Sequence, residues 1–144
     1  MRYSTAIRSI RAFNRFYTNR IGVVDRHILD SPFSLTEVRI LFEIYHDRGV
    51  TARRIREFLR VDEGYLSRTL NALVRRGLVS RTQSHDDGRR YLLSLTPRGK
   101  SIFLGLNGRS ESEVAAMIRH LSARGVRELV AMMSRIQELL GKDH

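Results

Sequence analysis

DEGYLSRTLNALVRRG, running from Asp62 to Gly77, is the stretch whose reading decides the fold. At about 100° per residue, Leu66, Leu70 and Leu73 share one side of a helix, with Val74 flanking them. Gly64, Ser67, Arg68, Asn71 and Arg75 gather on the opposite side, within about a third of the circumference. Asp62 is a good N-cap residue, and Arg75, Arg76 and Gly77 suit a helix C-terminus. One face therefore seals a core, while the other offers guanidinium, amide and hydroxyl groups to something outside. Tyr65 sits at the edge of the apolar stripe, where packing and outward contact both fit.

The totals narrow what that outer face meets. The 144 residues favour one domain, or one domain with extensions. A hydrophobic content of 42% is ordinary for a globular chain and too high for wholesale disorder. Lys+Arg 26 against Asp+Glu 15 leaves +11, which points to a polyanion: nucleic acid first, an anionic membrane surface second. The basic residues are almost all arginine, with lysine only at Lys100 and Lys142, and arginine suits bidentate phosphate and guanine contacts. A purely solubilising role for these arginines is the plainer reading. The mixed Ser/Asn/Arg face favours nucleic acid, because those side chains read base edges and hold phosphates in a major groove. A membrane-surface helix would instead turn bulky apolar groups outward.

There is no cysteine, so disulfides, thiolate catalysis and thiol redox sensing are excluded. No apolar run approaches membrane-spanning length, and MRYSTAIRSIRAF lacks the continuous apolar core of a secretory signal. These features lead us to expect a cytoplasmic protein.

Outward from the central helix, Arg60-Val61 is a tight connection to TARRIREFLR. There Thr51 is a cap, Ile55 and Leu59 face inward, and Arg53, Arg54 and Arg56 face out. Two short helices joined in this way, the second with a polar and basic face, make a helix-turn-helix. Ahead of it, Ser34-Leu35-Thr36-Glu37 starts another helix, through a Ser34/Glu37 capping box or through Thr36 as N-cap. Val38, Leu41, Phe42 and Tyr45 are its expected buried stripe.

After the central helix, LVSRTQ, SHDDGRR and YLLSL read as strand, turn and strand. The result is a β-hairpin with Arg89 and Arg90 at its tip. Such a wing can place an arginine in a minor groove, where the potential is most negative. Asp87 also fits as a simple turn former. Pro97 suits the first position of the next helix, which runs through Ile102, Phe103 and Leu106 with a bend or break expected at Gly105 and Gly108. A last helix is expected over Val126 to Leu140, with Leu129, Val130, Met133, Ile136 and Leu140 inward. At the other end, Tyr3, Ile7, Ile10, Tyr17, Ile21, Val24 and Ile28 keep a four-and-three spacing. That seam buries against a second subunit or against another helix of the same chain, and the pattern does not choose between them.

Three segments together resemble the MarR-type winged-helix regulators: SPFSLTEVRIL (31–41), VDEGYLSRTLNALVRRGLVSR (61–81) and DDGRRYLLSLTPRG (86–99). The likeness spans essentially the whole chain. IRAFNRFYTNRIG (10–22) and SPFSLTEVRIL look closer still to the MarR-like module that precedes an acetyltransferase domain in some fused proteins. No second domain of that kind fits in 144 residues, so a free-standing regulator and a fragment of such a fusion both remain open.

The resemblance implies a mainly α fold with a small β-hairpin wing, plus long N- and C-terminal dimerisation helices. It implies a single unit over 1–144, with a winged helix-turn-helix lobe at 34–97 and helical dimerisation regions at 1–30 and 98–144. It further implies a homodimeric, sequence-specific, nucleoid-associated DNA-binding regulator, acting as a repressor on an inverted-repeat operator. By position, Tyr65, Ser67, Arg68 and Asn71 face bases or nearby phosphates, Thr51 and Arg75 touch the backbone, and Arg89, oriented by Asp87 and beside Arg90, is the minor-groove residue. Family members commonly bind a small, often aromatic and acidic effector, which changes wing spacing and weakens DNA binding. Phe13, Tyr17, Arg20 and Tyr45 are the matching liners here, and each also fits a core or interface role. The alternative reading is a regulatory or dimerisation module of an acetyltransferase, with DNA binding secondary.

No catalytic constellation competes with this. There is no GxSxG, P-loop, HExxH or dinucleotide fingerprint, and Glu37 and Glu43 are explained by a helix start and its outer face. His27, His46, His85, His120 and His144 form no i, i+3 or i, i+4 ligand pair. We therefore expect no enzyme, no metal and no cofactor.

Overall fold

The computed structural model describes residues 2–22, 31–86 and 88–141. Along them run α1 (Tyr3–Arg20), α2 (Leu35–His46), α3 (Ala52–Leu59), α4 (Glu63–Arg75), β1 (Val79–Gln83), β2 (Tyr91–Leu95), α5 (Pro97–Ile118) and α6 (Ala123–Leu140). The architecture is thus helical with one antiparallel hairpin, as the sequence leads one to expect. The chain divides into two compact units, residues 1–107 and 108–144.

The core of the first unit comes from the stripes legible in the sequence. Leu66, Leu70 and Leu73 of α4 are buried together with Ile55 of α3, and α2 supplies Ile40, Leu41 and Ile44. The stripe of α2 differs from the expected one. Phe42 is 40% exposed, while Val38 and Tyr45 only flank the core. Ile40, Leu41 and Ile44 keep the i, i+1, i+4 grouping of one helix side, and Phe42 lies about 200° from both Ile40 and Ile44.

The starts of α2, α3 and α4 are each fixed by a side chain. Ser34 Oγ accepts from Glu37 N at 3.2 Å, and Ser34 N donates to Glu37 Oε1 at 2.9 Å. Of the two starts the sequence allows for α2, the capping box is therefore the one formed. Thr51 caps α3 by accepting from Arg54 N, and Asp62 caps α4 by accepting from Tyr65 N at 3.0 Å. The turn between them needs a left-handed residue, supplied by Arg60 at φ 52.

The far end of α4 decides where the wing goes. Gly77 sits at φ +74, Gly77 N donates to Val74 O, and Leu78 N donates to Leu73 O, each at 3.0 Å. This is a Schellman motif, completed by the buried pair Leu73 and Leu78. Thr96 then ties the return of the hairpin to that cap: its Oγ1 donates to Gly77 O at 2.6 Å and accepts from Gly99 N at 3.0 Å. β1 and β2 pair with Val79 opposite Leu95 and Arg81 opposite Leu93. Leu93 also bridges Val50, so the hairpin is sewn to the connection between α2 and α3. Only Leu93 of β2 is buried; Tyr91, near the tip, is 51% exposed because the wing projects beyond the core there.

Three expectations need adjustment. The first helix closes at Arg20, followed by Gly22 at φ 71, rather than reaching Ile28; Val24, His27 and Ile28 lie outside the described residues. α5 runs unbroken through Gly105 and Gly108, which an otherwise continuous ladder of backbone hydrogen bonds tolerates. In the second unit α6 starts at Ala123, ahead of the expected Val126, capped by Ser122, and none of its residues is buried. Val130, Ile136 and Leu140, expected inward, are exposed, because a lone amphipathic helix beside the end of α5 has too little to cover its stripe. The stripe of α1 is likewise unburied, with Tyr3, Ile7, Ile10, Phe13 and Phe16 exposed.

Candidate nucleic-acid interface

The polar face of α4 looks outward. Ser67, Arg68 and Arg75 are exposed, Tyr65 is exposed at the edge of the stripe, and Gly64 and Asn71 are half-buried. Gly64 leaves little room above it, because a Cβ there would meet Arg68 Nη1 and Asp62 Oδ2 at 3.2 Å each. The Arg68 guanidinium thus lies back over the first turn of α4, where the backbone N–H groups also point.

Beside this face the wing and α3 enclose a cleft of about 650 Å³. Its walls include Thr51, Arg53 and Arg56 from α3 and its cap, Ser67 from α4, and Arg81, Arg89 and Arg90 from the wing. A concave surface with five guanidinium groups concentrates positive potential, and low-dielectric walls strengthen it. Glu63 is the carboxylate in this lining, and Arg56 Nη1 holds its Oε2 at 3.0 Å.

The wing is braced from within. Gln83 Nε2 donates to Gly88 O at 2.6 Å, and Ser84 N donates to Arg90 O at 2.9 Å, closing the loop that presents Arg89 and Arg90. Asp87, expected to orient Arg89, lies outside the described residues. At the root of the wing, Arg81 Nη2 donates to Asn71 Oδ1 at 2.6 Å, linking β1 directly to the polar face of α4.

The structure therefore places Thr51, Ser67, Arg89 and Arg90 on one cleft, and Asn71 against its Arg81 wall. Tyr65, Arg68 and Arg75 stand on the adjoining surface of α4. Arg53, Arg56 and Arg81 were not singled out from the sequence as site residues. Arg81 follows Asn71 by ten positions, and the chain reverses between them at Gly77, so no helix or strand period connects the two.

Arg76 has a different job from its neighbour Arg75. Its guanidinium lies 4.5 Å over the Phe33 ring and 3.4 Å from Glu37 Oε2, so it fastens the end of α4 to the start of α2.

The four residues matched to an effector crevice fall into two sets. Phe13 and Tyr17 stack on α1 with centroids 5.7 Å apart, while Arg20 ends that helix, exposed. Tyr45 belongs to an aromatic cluster with His46 and Phe103, its ring 4.6 Å from that of Phe103. Among the described residues no group of His, Cys, Asp and Glu could hold a metal ion. Nor is any described helix long and apolar enough to cross a membrane.

Comparison with known proteins agrees with this geometry. The model of the MarR family matches residues 33–91, the segment holding the helix-turn-helix and most of the wing. An uncharacterized HTH-type transcriptional regulator of Bacillus subtilis (strain 168), YdgJ, is 24% identical over 104 residues. That match covers 72% of this chain and 63% of the relative, so the chain spans less than two thirds of that protein's length. The fold is also that of Streptococcus pneumoniae FabT, solved in complex with DNA (TM-score 0.79, 21% identity, 94% of this chain and 97% of that one). A mutant MarR from E. coli, complexed with operator DNA, matches with a TM-score of 0.74 at 21% identity over 93% of this chain and 96% of that one. The likeness to the MarR family thus lies in residues 33–91, the helix-turn-helix and most of the wing, and the fold of the chain is the one these MarR-type structures share.

Proposed function

We propose that this chain is a transcriptional regulator that binds double-stranded DNA, reading sequence with α4 and gripping a neighbouring minor groove with the wing. The carrying observation is the outward Ser67, Arg68, Asn71 and Arg75 face, set directly beside the arginine-lined cleft. Base edges ask for the amide and hydroxyl groups, and phosphates ask for the arginines. In this reading Ser67, Arg68 and Asn71, with Tyr65 at the edge, contact bases. Thr51 and Arg75 contact the backbone, and Arg89 and Arg90, with Asp87, serve the minor groove. The DNA seen with FabT and with the MarR mutant supports the assignment.

The active form we propose is a homodimeric repressor on an inverted-repeat operator. The apolar stripes of α1 and of α6, each left exposed, are the surfaces for the second subunit. A small aromatic acid, received by Phe13, Tyr17, Arg20 and Tyr45, modulates it, and the protein works in the cytoplasm on the nucleoid, as a binding protein rather than an enzyme. Selection of bound duplexes from a random pool, repeated with aromatic acids present, tests this reading. Recovery of a palindrome, weakened by an effector acid, is expected; recovery of no duplex at low salt refutes DNA binding.

A further inference from the structure

The bond between the wing and the recognition helix, Arg81 Nη2 to Asn71 Oδ1 at 2.6 Å, restricts what Asn71 can read. We propose that Arg81 is a positioning residue that makes Asn71 a hydrogen-bond donor, so that the pair selects guanine over adenine at the base Asn71 faces; this rests on the DNA-binding reading above.

A guanidinium has N–H donors and no acceptor, so the Asn71 atom that meets it is the carbonyl oxygen, and the amide nitrogen is turned away from it. The bond is charge-assisted and short, which makes it one of the stronger side-chain contacts on this face. An asparagine reads adenine in bidentate fashion by accepting from the N6 amino group while donating to N7. Here one lone pair of Oδ1 is taken, and the other lies beside a cation whose N–H hydrogens repel an incoming amino group. What the pair still offers is donors: the Asn71 Nδ2 hydrogens and the remaining hydrogens of Arg81. Guanine presents two acceptors side by side, O6 and N7, and is the base that fits. Arg81 is exposed and stands on β1, opposite Leu93, so the hairpin register sets the bond while the core owes nothing to it.

The test compares bases selected from a random duplex pool by the unaltered protein, Asn71→Ala and Arg81→Met, the last keeping the apolar stem without the donors. The position read by Asn71 is the one whose preference vanishes in Asn71→Ala. There the unaltered protein is expected to select guanine, and Arg81→Met to move that position alone about tenfold toward adenine. Adenine at that position in the unaltered protein overturns the inference. So does a uniform loss of affinity in Arg81→Met with every base preference kept, which marks a phosphate contact only, and so does an Asn71→Ala profile identical to that of the unaltered protein. Each of those results leaves DNA binding standing, whereas failure of the unaltered protein to retain any duplex refutes DNA binding and the inference with it.

Discussion

Replacing Gly99 with alanine tests how the wing is seated. A Cβ at Gly99 would lie 2.0 Å from Leu78 O and 2.8 Å from Leu78 C, both backbone atoms that cannot swing aside as a side-chain tip can. Ordinary contact therefore requires the start of α5 to retreat by more than an ångström. That retreat stretches Thr96 N–H to Leu78 O, now 3.1 Å, and Thr96 Oγ1 to Gly77 O, now 2.6 Å. Overpacking of this kind costs about 1–3 kcal/mol. The two weakened hydrogen bonds add about 1 kcal/mol each. Alanine returns about 1 kcal/mol through its helix propensity. We expect a net loss of about 2–4 kcal/mol in urea unfolding followed by circular dichroism. Gly105→Ala is the matched control on the same helix, since nothing lies within 4 Å of a Cβ there. It is expected to gain up to about 1 kcal/mol. A Gly99→Ala protein as stable as its Gly105→Ala counterpart would refute the close approach of α5 to Leu78.

Other substitutions separate the roles of single side chains. Arg89→Ala is expected to weaken binding equally on specific and random duplexes and to lower the salt slope by about one, as measured by fluorescence anisotropy. Arg68→Ala should cost about 1–3 kcal/mol on the preferred duplex and relax discrimination at one base pair; equal losses on all duplexes would reassign it to phosphate. Ile136→Glu, at an exposed α6 position, is expected to shift sedimentation from dimer to monomer with the helical signal kept. An unchanged mass would remove α6 from the dimer interface.

Most of the winged lobe was legible because its signals are local. Ser34 with Glu37, Thr51 and Asp62 each announce a helix start through a hydrogen bond three residues long, and Gly77 announces an end. The stripe Leu66, Leu70, Leu73 follows from helical period alone. What the sequence withheld is what depends on the path of the chain in space. Arg76 reads like Arg75, yet it finds Phe33 and Glu37, which lie about forty positions away. Arg81 reads as a solvated strand residue until the hairpin register brings it to Asn71. The spacing of Val38, Leu41, Phe42 and Tyr45 also fits one helix side, but the side that faces the core is the one holding Ile40, Leu41 and Ile44, which leaves Phe42 exposed. The apolar residues of α1 and α6 recur at helical period, but period does not say what covers them.

The central claim is that an arginine-bearing helix and wing meet the grooves of duplex DNA. Its most direct test is the dissociation constant for a selected duplex, measured over a series of salt concentrations. If each subunit neutralises several phosphates, affinity should fall by about a decade or more for each few-fold rise in ionic strength. A dissociation constant unmoved by salt, or no binding to any duplex at low salt, would contradict it.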